Sequence, residues 1–189
     1  MEEAYYHQTK FQLNHLPDHF RGGRFEDCRF EGLDLSGVDL GQAKFVDCVF
    51  EGCSLHNAQV VQTSFRDVQF IDCMMMGWRF DYVRPALFSA SFTRCKLDYS
   101  SFVDMSLKGF EWIDCSLQQV LFQGADLTNA TFRGTHLLGA VFEGTTLHGA
   151  DFRTAIQFSI DPTANKLAGA RFSSANVAGL LDRWKLNWD

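Results

Sequence analysis

Proline is nearly absent, with 3 in 189 residues, and tyrosine is scarce, with 4 against 19 phenylalanines. Positive charge is also in short supply. Seventeen lysines and arginines face 23 acids, for a formal net charge of −6 and a pI near 5.4, whereas a nucleic-acid binder draws its affinity from a basic surface that neutralises phosphates. No run of about 18 apolar residues occurs, as a membrane-spanning helix requires. The opening Met1-Glu2-Glu3-Ala4-Tyr5-Tyr6-His7 lacks a basic region followed by an apolar stretch. These absences lead to the expectation of a soluble, cytoplasmic protein with no membrane and no nucleic acid as direct partner. Catalytic signatures are missing too: there is no nucleophile elbow, phosphate loop or paired acid/base motif. His15 and His19 have the spacing of two ligands on one helical turn, but Pro17 lies between them and no carboxylate or cysteine motif follows. The expectation is a non-enzyme without metal or cofactor.

What is abundant is one large apolar side chain and one permissive backbone residue, 19 Phe and 15 Gly. Apolar residues stand at every fifth position through Phe20, Phe25, Phe30, Leu35, Leu40, Phe45, Phe50, Leu55, Val60, Phe65, Phe70, Met75 and Phe80. After a slip of two residues the series resumes at Leu87 and runs through Phe92, Leu97, Phe102, Leu107, Trp112, Leu117, Phe122, Leu127, Phe132, Leu137, Phe142, Leu147 and Phe152. None of these centres is polar. No helix or ordinary strand has this period, because 3.6 or 2 residues per repeat would carry successive centres to different faces. The residue two before each centre is usually small, as at Cys28, Ala43, Cys48, Ala58, Thr63, Ala90, Ser100, Ala125, Ala130, Ala140 and Ala150. Centre and small residue therefore both point inward, and the other three positions face out. Eleven of the 15 Gly lie two after a centre, where a sharp corner calls for positive φ.

Segments such as Ala125-Asp126-Leu127-Thr128-Asn129, Ala130-Thr131-Phe132-Arg133-Gly134 and Ala150-Asp151-Phe152-Arg153-Thr154 resemble the pentapeptide-repeat proteins, over roughly residues 20 to 157. The resemblance implies an all-β fold, a right-handed quadrilateral parallel β-helix with 20 residues per coil. With coils about 4.8 Å apart, the 27 centres make nearly seven coils and a rod on the order of 33 Å long. The twenty-residue period is visible internally: Phe25, Phe45 and Phe65 share one face, Phe30, Phe50 and Phe70 the next, and Phe92, Trp112, Phe132, Phe152 and Phe172 form a later column. Residues 1–19 are then an N-terminal cap or arm, 20–157 the β-helix with a register break at 81–86, and 158–189 a C-terminal cap and dimerisation helix. All six cysteines occupy the small inward position, in three pairs 20 residues apart: Cys28 and Cys48, Cys53 and Cys73, Cys95 and Cys115. They read as buried thiols stacked in ladders, reduced in a cytoplasmic protein.

Three surface features are candidates for function. Asp27, Asp47 and Asp67 fall in one outward column and Glu31 and Glu51 in another, and residues 20–83 hold 10 acids against 6 bases while 84–158 hold 7 against 6. Such acids either confer solubility or take the places of phosphates on a rod roughly as wide as a duplex. The break, Asp81-Tyr82-Val83-Arg84-Pro85-Ala86, brings Met74, Met76, Tyr82 and Arg84 forward as partner-binding residues; the outward Ile71, Met74 and Met76 beside it are either covered by the bulge, the favoured reading, or available to a partner. Near the C-terminus, Ser173 or Ser174 can cap a short α-helix on which Val177, Leu180, Leu181, Trp184 and Trp188 share a face, suiting a two-fold, tail-to-tail homodimer.

That ending, with the length and the single break, is similar to the gyrase-protecting branch of the family, the Qnr-type quinolone-resistance proteins and the albicidin and microcin immunity proteins. The resemblance implies a dimer that mimics B-form DNA and engages type II topoisomerases. Many Qnr proteins project longer loops where this chain has only the 81–86 bulge, which leans toward an immunity-like or endogenous role. The expected function is a DNA mimic that binds DNA gyrase and protects it from, or modulates, poisons; the alternative is a generic interaction scaffold with another protein partner.

Overall fold

The computed structural model describes residues 4–13, 15–17 and 19–186. Its backbone is a parallel solenoid in which residues 20 apart lie on adjacent coils: Phe25 pairs with Phe45 and Phe45 with Phe65, while Phe30 pairs with Phe50 and Phe50 with Phe70. Each coil has four faces. The first carries Phe25, Phe45 and Phe65, the second Phe30, Phe50 and Phe70, the third Leu35, Leu55 and Met75, and the fourth Leu40, Val60 and Phe80. Eleven short strands are formed: β1 (Tyr5–His7), β2 (Lys10–Phe11), β3 (Arg24–Glu26), β4 (Arg29–Glu31), β5 (Lys44–Val46), β6 (Val49–Glu51), β7 (Ser64–Arg66), β8 (Val68–Ile71), β9 (Ala90–Thr93), β10 (Glu111–Ile113) and β11 (Thr131–Arg133). They make a four-stranded sheet, β1-β3-β5-β7, on the first face and a seven-stranded sheet, β11-β10-β9-β8-β6-β4-β2, on the second. Every strand from β2 to β11 contains an aromatic centre. Elsewhere single parallel bridges continue the ladder, such as Asp34 to Ser54 to Met74 to Lys96 on the third face and Ser101 to Leu121 to Val141 on the fourth.

Corners turn at the residue two after a centre, which adopts a left-handed conformation everywhere in the repeat except beside the break, at Tyr82 and Ser89, and at its end, at Thr154. Glycine fills many corners, as at Gly134 (φ 64), but Asp27, Asp47 and Asp67 (φ 52, 53 and 54), Asn57 and Gln62 occupy others. Asp and Asn tolerate this region better than most residues. The turn thus dictates which residue types stand at the edges of the rod.

Packing inside is aromatic stacking along the axis. On the second face Phe11, Phe30, Phe50, Phe70 and Phe92 stack at centroid distances of 5.0, 4.4, 5.1 and 5.3 Å, and Trp112, Phe132, Phe152 and Phe172 continue the column at 5.0, 4.6 and 5.4 Å. A second aromatic column starts on the first face, with Tyr6, Phe25, Phe45 and Phe65, and beyond the break it stands on the fourth, with Phe80, Phe102, Phe122 and Phe142. Trp78 joins the two. Fully buried, it contacts Phe65, Phe70 and Phe80, so it touches the column that ends, the one that persists and the one that begins.

The small inward residues do more than save space. Cys48 Sγ donates to Phe25 O, Thr63 Oγ1 to Leu40 O, Cys73 Sγ to Phe50 O, Cys115 Sγ to Phe92 O and Thr145 Oγ1 to Phe122 O. Trp78 Nε1 plays the same part toward Leu55 O at 2.7 Å, and Asn165 and Asn176 toward Phe142 O and Phe152 O near the C-terminal end. All six thiols are buried and unpaired by disulfides. The expectation of three separate pairs needs amending, because Cys73 and Cys95 also adjoin across the two-residue insert, so Cys53, Cys73, Cys95 and Cys115 form one ladder. Hydrogen bonding to the neighbouring thiol and burial push Cys48, Cys53 and Cys95 up, keeping them neutral.

The two ends differ. At the N-terminus β1 and β2 pair onto β3 and β4, and Phe11 is fully buried beneath Phe30 while Leu13 is exposed. At the C-terminus the expected α-helix is realised as two short 3₁₀ turns, Val177–Leu180 and Asp182–Trp184. Asn176, not a serine, ties down their start: its Nδ2 donates to Phe152 O and Ala155 O, and its Oδ1 accepts from Ser173 N. The Gly179 amide bonds back to Asn176 O, and its carbonyl accepts from Ile160 N. That diverts the backbone from an α-helical pattern.

Candidate functional site

The acidic edge runs along the corner between the first and second faces. Asp27, Asp47 and Asp67 occupy equivalent corners of three successive coils, with Asp27 N and Asp47 N donating to Val46 O and Arg66 O of the next coil. Among the described residues no lysine or arginine forms an ion pair with these carboxylates. His7 lies 3.8 Å from Asp27, and Asp67 accepts from Ser89 Oγ at 2.8 Å. The Glu31 and Glu51 column, on the second face, has a different character. Lys10 (2.6 Å) and Arg29 (3.3 Å) clamp Glu31, and Arg29 reaches Glu51 at 2.9 Å. The Lys10 bond leads in holding Glu31 below the usual carboxylate range. Among the described residues, three of the five predicted acids are therefore presented without a lysine or arginine partner, Asp27 having only His7 nearby, and two are locally neutralised.

Cations border the acidic edge. Arg24, Lys44, Arg66 and Arg84, with Val46 and Ser64, line a shallow cavity of about 190 Å³ on the first face. The formal net charge thus sums over an acidic corner and a face on which these cations stand with Glu26, the partner of Arg24, an arrangement that only the fold reveals.

Structure separates the residues singled out around the break. Met74 and Met76 lie on the third face, Tyr82 past the end of the fourth, and Arg84 on the first, so they do not form one site. The bulge folds into two 3₁₀ turns, Phe80–Tyr82 and Pro85–Leu87, between the fourth and first faces. It therefore does not cover Met74, which remains 41% exposed, contrary to expectation. What the insert buries instead is Val83. Tyr82 is a shelf for Arg79, whose guanidinium sits 4.3 Å from the ring centroid and pairs with Asp81 at 2.6 Å.

At the C-terminal end Val177 and Trp184 are exposed, and Leu180 and Leu181 are half-buried, with Leu180 against the core. Trp188 lies outside the described residues. Two residues escaped sequence reasoning. Trp78 was masked because a small residue is the norm at its position, and Tyr99 because its corner usually takes Gly or Asn; in each case the departure from the repeat was the available signal. No cluster of three or more His, Cys, Asp or Glu able to hold a metal occurs among the described residues, and no helix there is long and apolar enough to cross a membrane.

Pentapeptide coils stacked in parallel, with donors and stacked rings repeating every 20 residues, define the class as a pentapeptide β-solenoid. A sequence model of the pentapeptide repeat region matches residues 23–84 and 81–152, and the chain belongs to the pentapeptide repeat family. Solved structures that match the chain include full-length QnrB1, a plasmid-mediated fluoroquinolone resistance protein, at 20% identity over 97% of this chain and 98% of that one, TM-score 0.42. Another is HetL from the cyanobacterium Nostoc, a pentapeptide repeat protein involved in heterocyst differentiation regulation, at 16% identity over 90% and 85%, TM-score 0.43. No curated protein sequence matches the chain.

Proposed function

We propose that this protein is a non-catalytic, cytoplasmic DNA mimic that binds a type II topoisomerase such as DNA gyrase and protects it from, or modulates, poisons. The observation that carries the reading is the column of Asp27, Asp47 and Asp67, with no lysine or arginine paired to it among the described residues. Its charge density can be weighed: one carboxylate per coil rise of about 4.8 Å compares with one phosphate per about 3.4 Å along a single DNA strand. The edge is thus a somewhat diluted single strand, enough to steer a basic groove toward the rod but short. Exposed Val177 and Trp184 support tail-to-tail pairing, which would double the length of the rod; light scattering at micromolar concentration that returned 21.5 kDa would refute that pairing.

A supercoiling assay with purified gyrase, with and without a poison, tests the function. The native protein should protect or inhibit, its effect weakening as ionic strength rises. The triple variant Asp27→Asn, Asp47→Asn, Asp67→Asn should lose the effect while its stability moves by less than about 0.5 kcal/mol per site, as for ordinary surface changes. No effect of the native protein at any concentration would end the proposal.

A further inference from the structure

The guanidinium of Arg84, at the entry to the insert, has no part in the packing described above. Its place in the ladder is regular. Arg24 N donates to Ala4 O, Lys44 N to Gly23 O, Ser64 N to Ala43 O and Arg84 N to Thr63 O, so Arg24, Lys44, Ser64 and Arg84 are one outward column on four successive coils of the first face. Ser64 breaks a line of long cations. It is 4% exposed, and its short side chain opens a notch between Lys44 on one coil and Arg84 on the next. Arg66 flanks the notch, because residues two apart on β7 point to the same side of the strand. A coil rise of about 4.8 Å and about 6.6 Å between alternate strand residues set three cationic stems around one hydroxyl. That hydroxyl has no hydrogen-bond partner among the described residues.

No carboxylate lines the resulting cavity of about 190 Å³. The acids around it are engaged or turned away: Glu26 is held by Arg24 and Tyr5, Asp81 by Arg79, and Asp67, at the corner, accepts from Ser89 Oγ. Arg84 is half-buried, and neither it nor Arg66 forms an ion pair among the described residues. A partly desolvated guanidinium without an acceptor calls for an anion. The 3₁₀ turn Pro85–Leu87 packs against β7 and ends the column just past Arg84. The volume falls below the roughly 300 Å³ at which pockets for drug-sized molecules begin, so the ligand is small. Asp47 and Asp67 along the adjoining corner would repel an extended polyanion, which leaves a compact one.

We infer that the notch at Ser64 is a binding site for a phosphate-like dianion, with Arg66 and Arg84 as charge-assisted donors, Lys44 as a point charge and the Ser64 hydroxyl as a neutral donor. The inference is independent of the gyrase reading. Isothermal titration calorimetry of the full chain with inorganic phosphate, in a buffer free of other oxyanions, tests it. One phosphate should bind per chain at millimolar concentration or below, sulfate should compete and chloride should not. AMP that binds as tightly as phosphate would identify a phosphomonoester end as the ligand, and AMP that fails where phosphate binds would identify the free ion. The double variant Arg66→Gln, Arg84→Gln should bind at least tenfold more weakly, and Arg84→Lys should keep part of the affinity. Ser64→Lys, which restores the cation its column has elsewhere and fills the notch, should abolish binding although it adds positive charge. Lys96→Gln, on the third face, should change nothing. Equal affinity in the native protein and the double variant would mean an adventitious ion only, and the absence of saturable phosphate binding would overturn the inference outright.

Discussion

The coils before the register break and those after it solve the same packing problem with different residues. Before the break the aromatic columns stand on the first and second faces, and the first face is a hydrogen-bonded sheet of β3, β5 and β7. After it the columns stand on the second and fourth faces, and the first face, now Leu107, Leu127 and Leu147, keeps single bridges from Ser106 through Asp126 and Thr146 to Lys166. Two aromatic stacks per coil are retained, and only their addresses change. The lesson is that the solenoid needs a fixed volume of stacked ring per coil and is indifferent to which face supplies the second stack, provided something fills the diagonal where it crosses over. Trp78 is that filler, placed where other coils have on the same face only Val38, Ala58, Ser100, Val120 or Ala140.

The sharpest way to break this comparison is at the tryptophans. Trp78→Ala removes the ring linking both regimes and strands Leu55 O without its donor. With about 3–5 kcal/mol for a large core truncation and about 1–3 for a buried group left unpaired, chemical denaturation should show a loss of about 4–8 kcal/mol. Trp112, beyond the break, stacks on Phe132 but its Nε1 donates to nothing among the described residues. Trp112→Phe should therefore be neutral or stabilising by about 1 kcal/mol. Equal losses at Trp78→Phe and Trp112→Phe would show that the crossover has no special role.

A smaller effect separates the donor role of cysteine from its bulk. Cys73→Ala should cost about 1–3 kcal/mol because Phe50 O loses its partner, whereas Cys73→Thr should cost clearly less, since Thr63 and Thr145 already serve in that position. If the two variants unfold at the same denaturant concentration, the thiols are mere fillers and the ladder of donors is incidental.

The smallest expected effect is local and depends on pH. The Arg24 hydrogen bond leads in lowering Glu26, and the Lys10 bond in lowering Glu31; these acids fasten the first full coil to β1 and β2 through Tyr5 and Lys10. A folded-state pKa below the unfolded value means stabilisation that is present above about pH 4 and lost as pH falls through the folded value. Hydrogen exchange at Gln8 N, bonded to Glu26 O, should accelerate below pH 4 before exchange at Phe132 N does. Simultaneous loss would mean that the N-terminal coil is no weaker than the rest, and salt should blunt the difference because the pairs are exposed.

Much of this molecule was legible in its sequence because a five-residue apolar period admits so few backbones. The inward centres, the small inward positions and the left-handed corners at Gly32 or Asp47 all follow from spacing. What spacing could not show was continuity across the insert. The columns of Phe70 and Phe92 read as two until the pairing of β8 with β9 joined them, and the cysteine pairs merged for the same reason. The surface was less legible still. Glu31 and Asp27 look alike in sequence, and only the reach of Lys10 from the adjacent coil and of Arg29 along the same strand distinguishes a clamped acid from an unclamped one. Tyr82 is exposed, as its place in the insert suggests, and what only the structure shows is that its ring is also a shelf for Arg79.

The left-handed corners have one further implication. Gly, Asn and Asp are near-equivalent to the backbone there but differ by a full unit of charge at the surface, so an edge can be recharged or discharged one coil at a time with the core left undisturbed. Each edge is in effect a row of independently adjustable settings, and a rod of this kind can be retuned to a new partner through its corners long before its interior has to change.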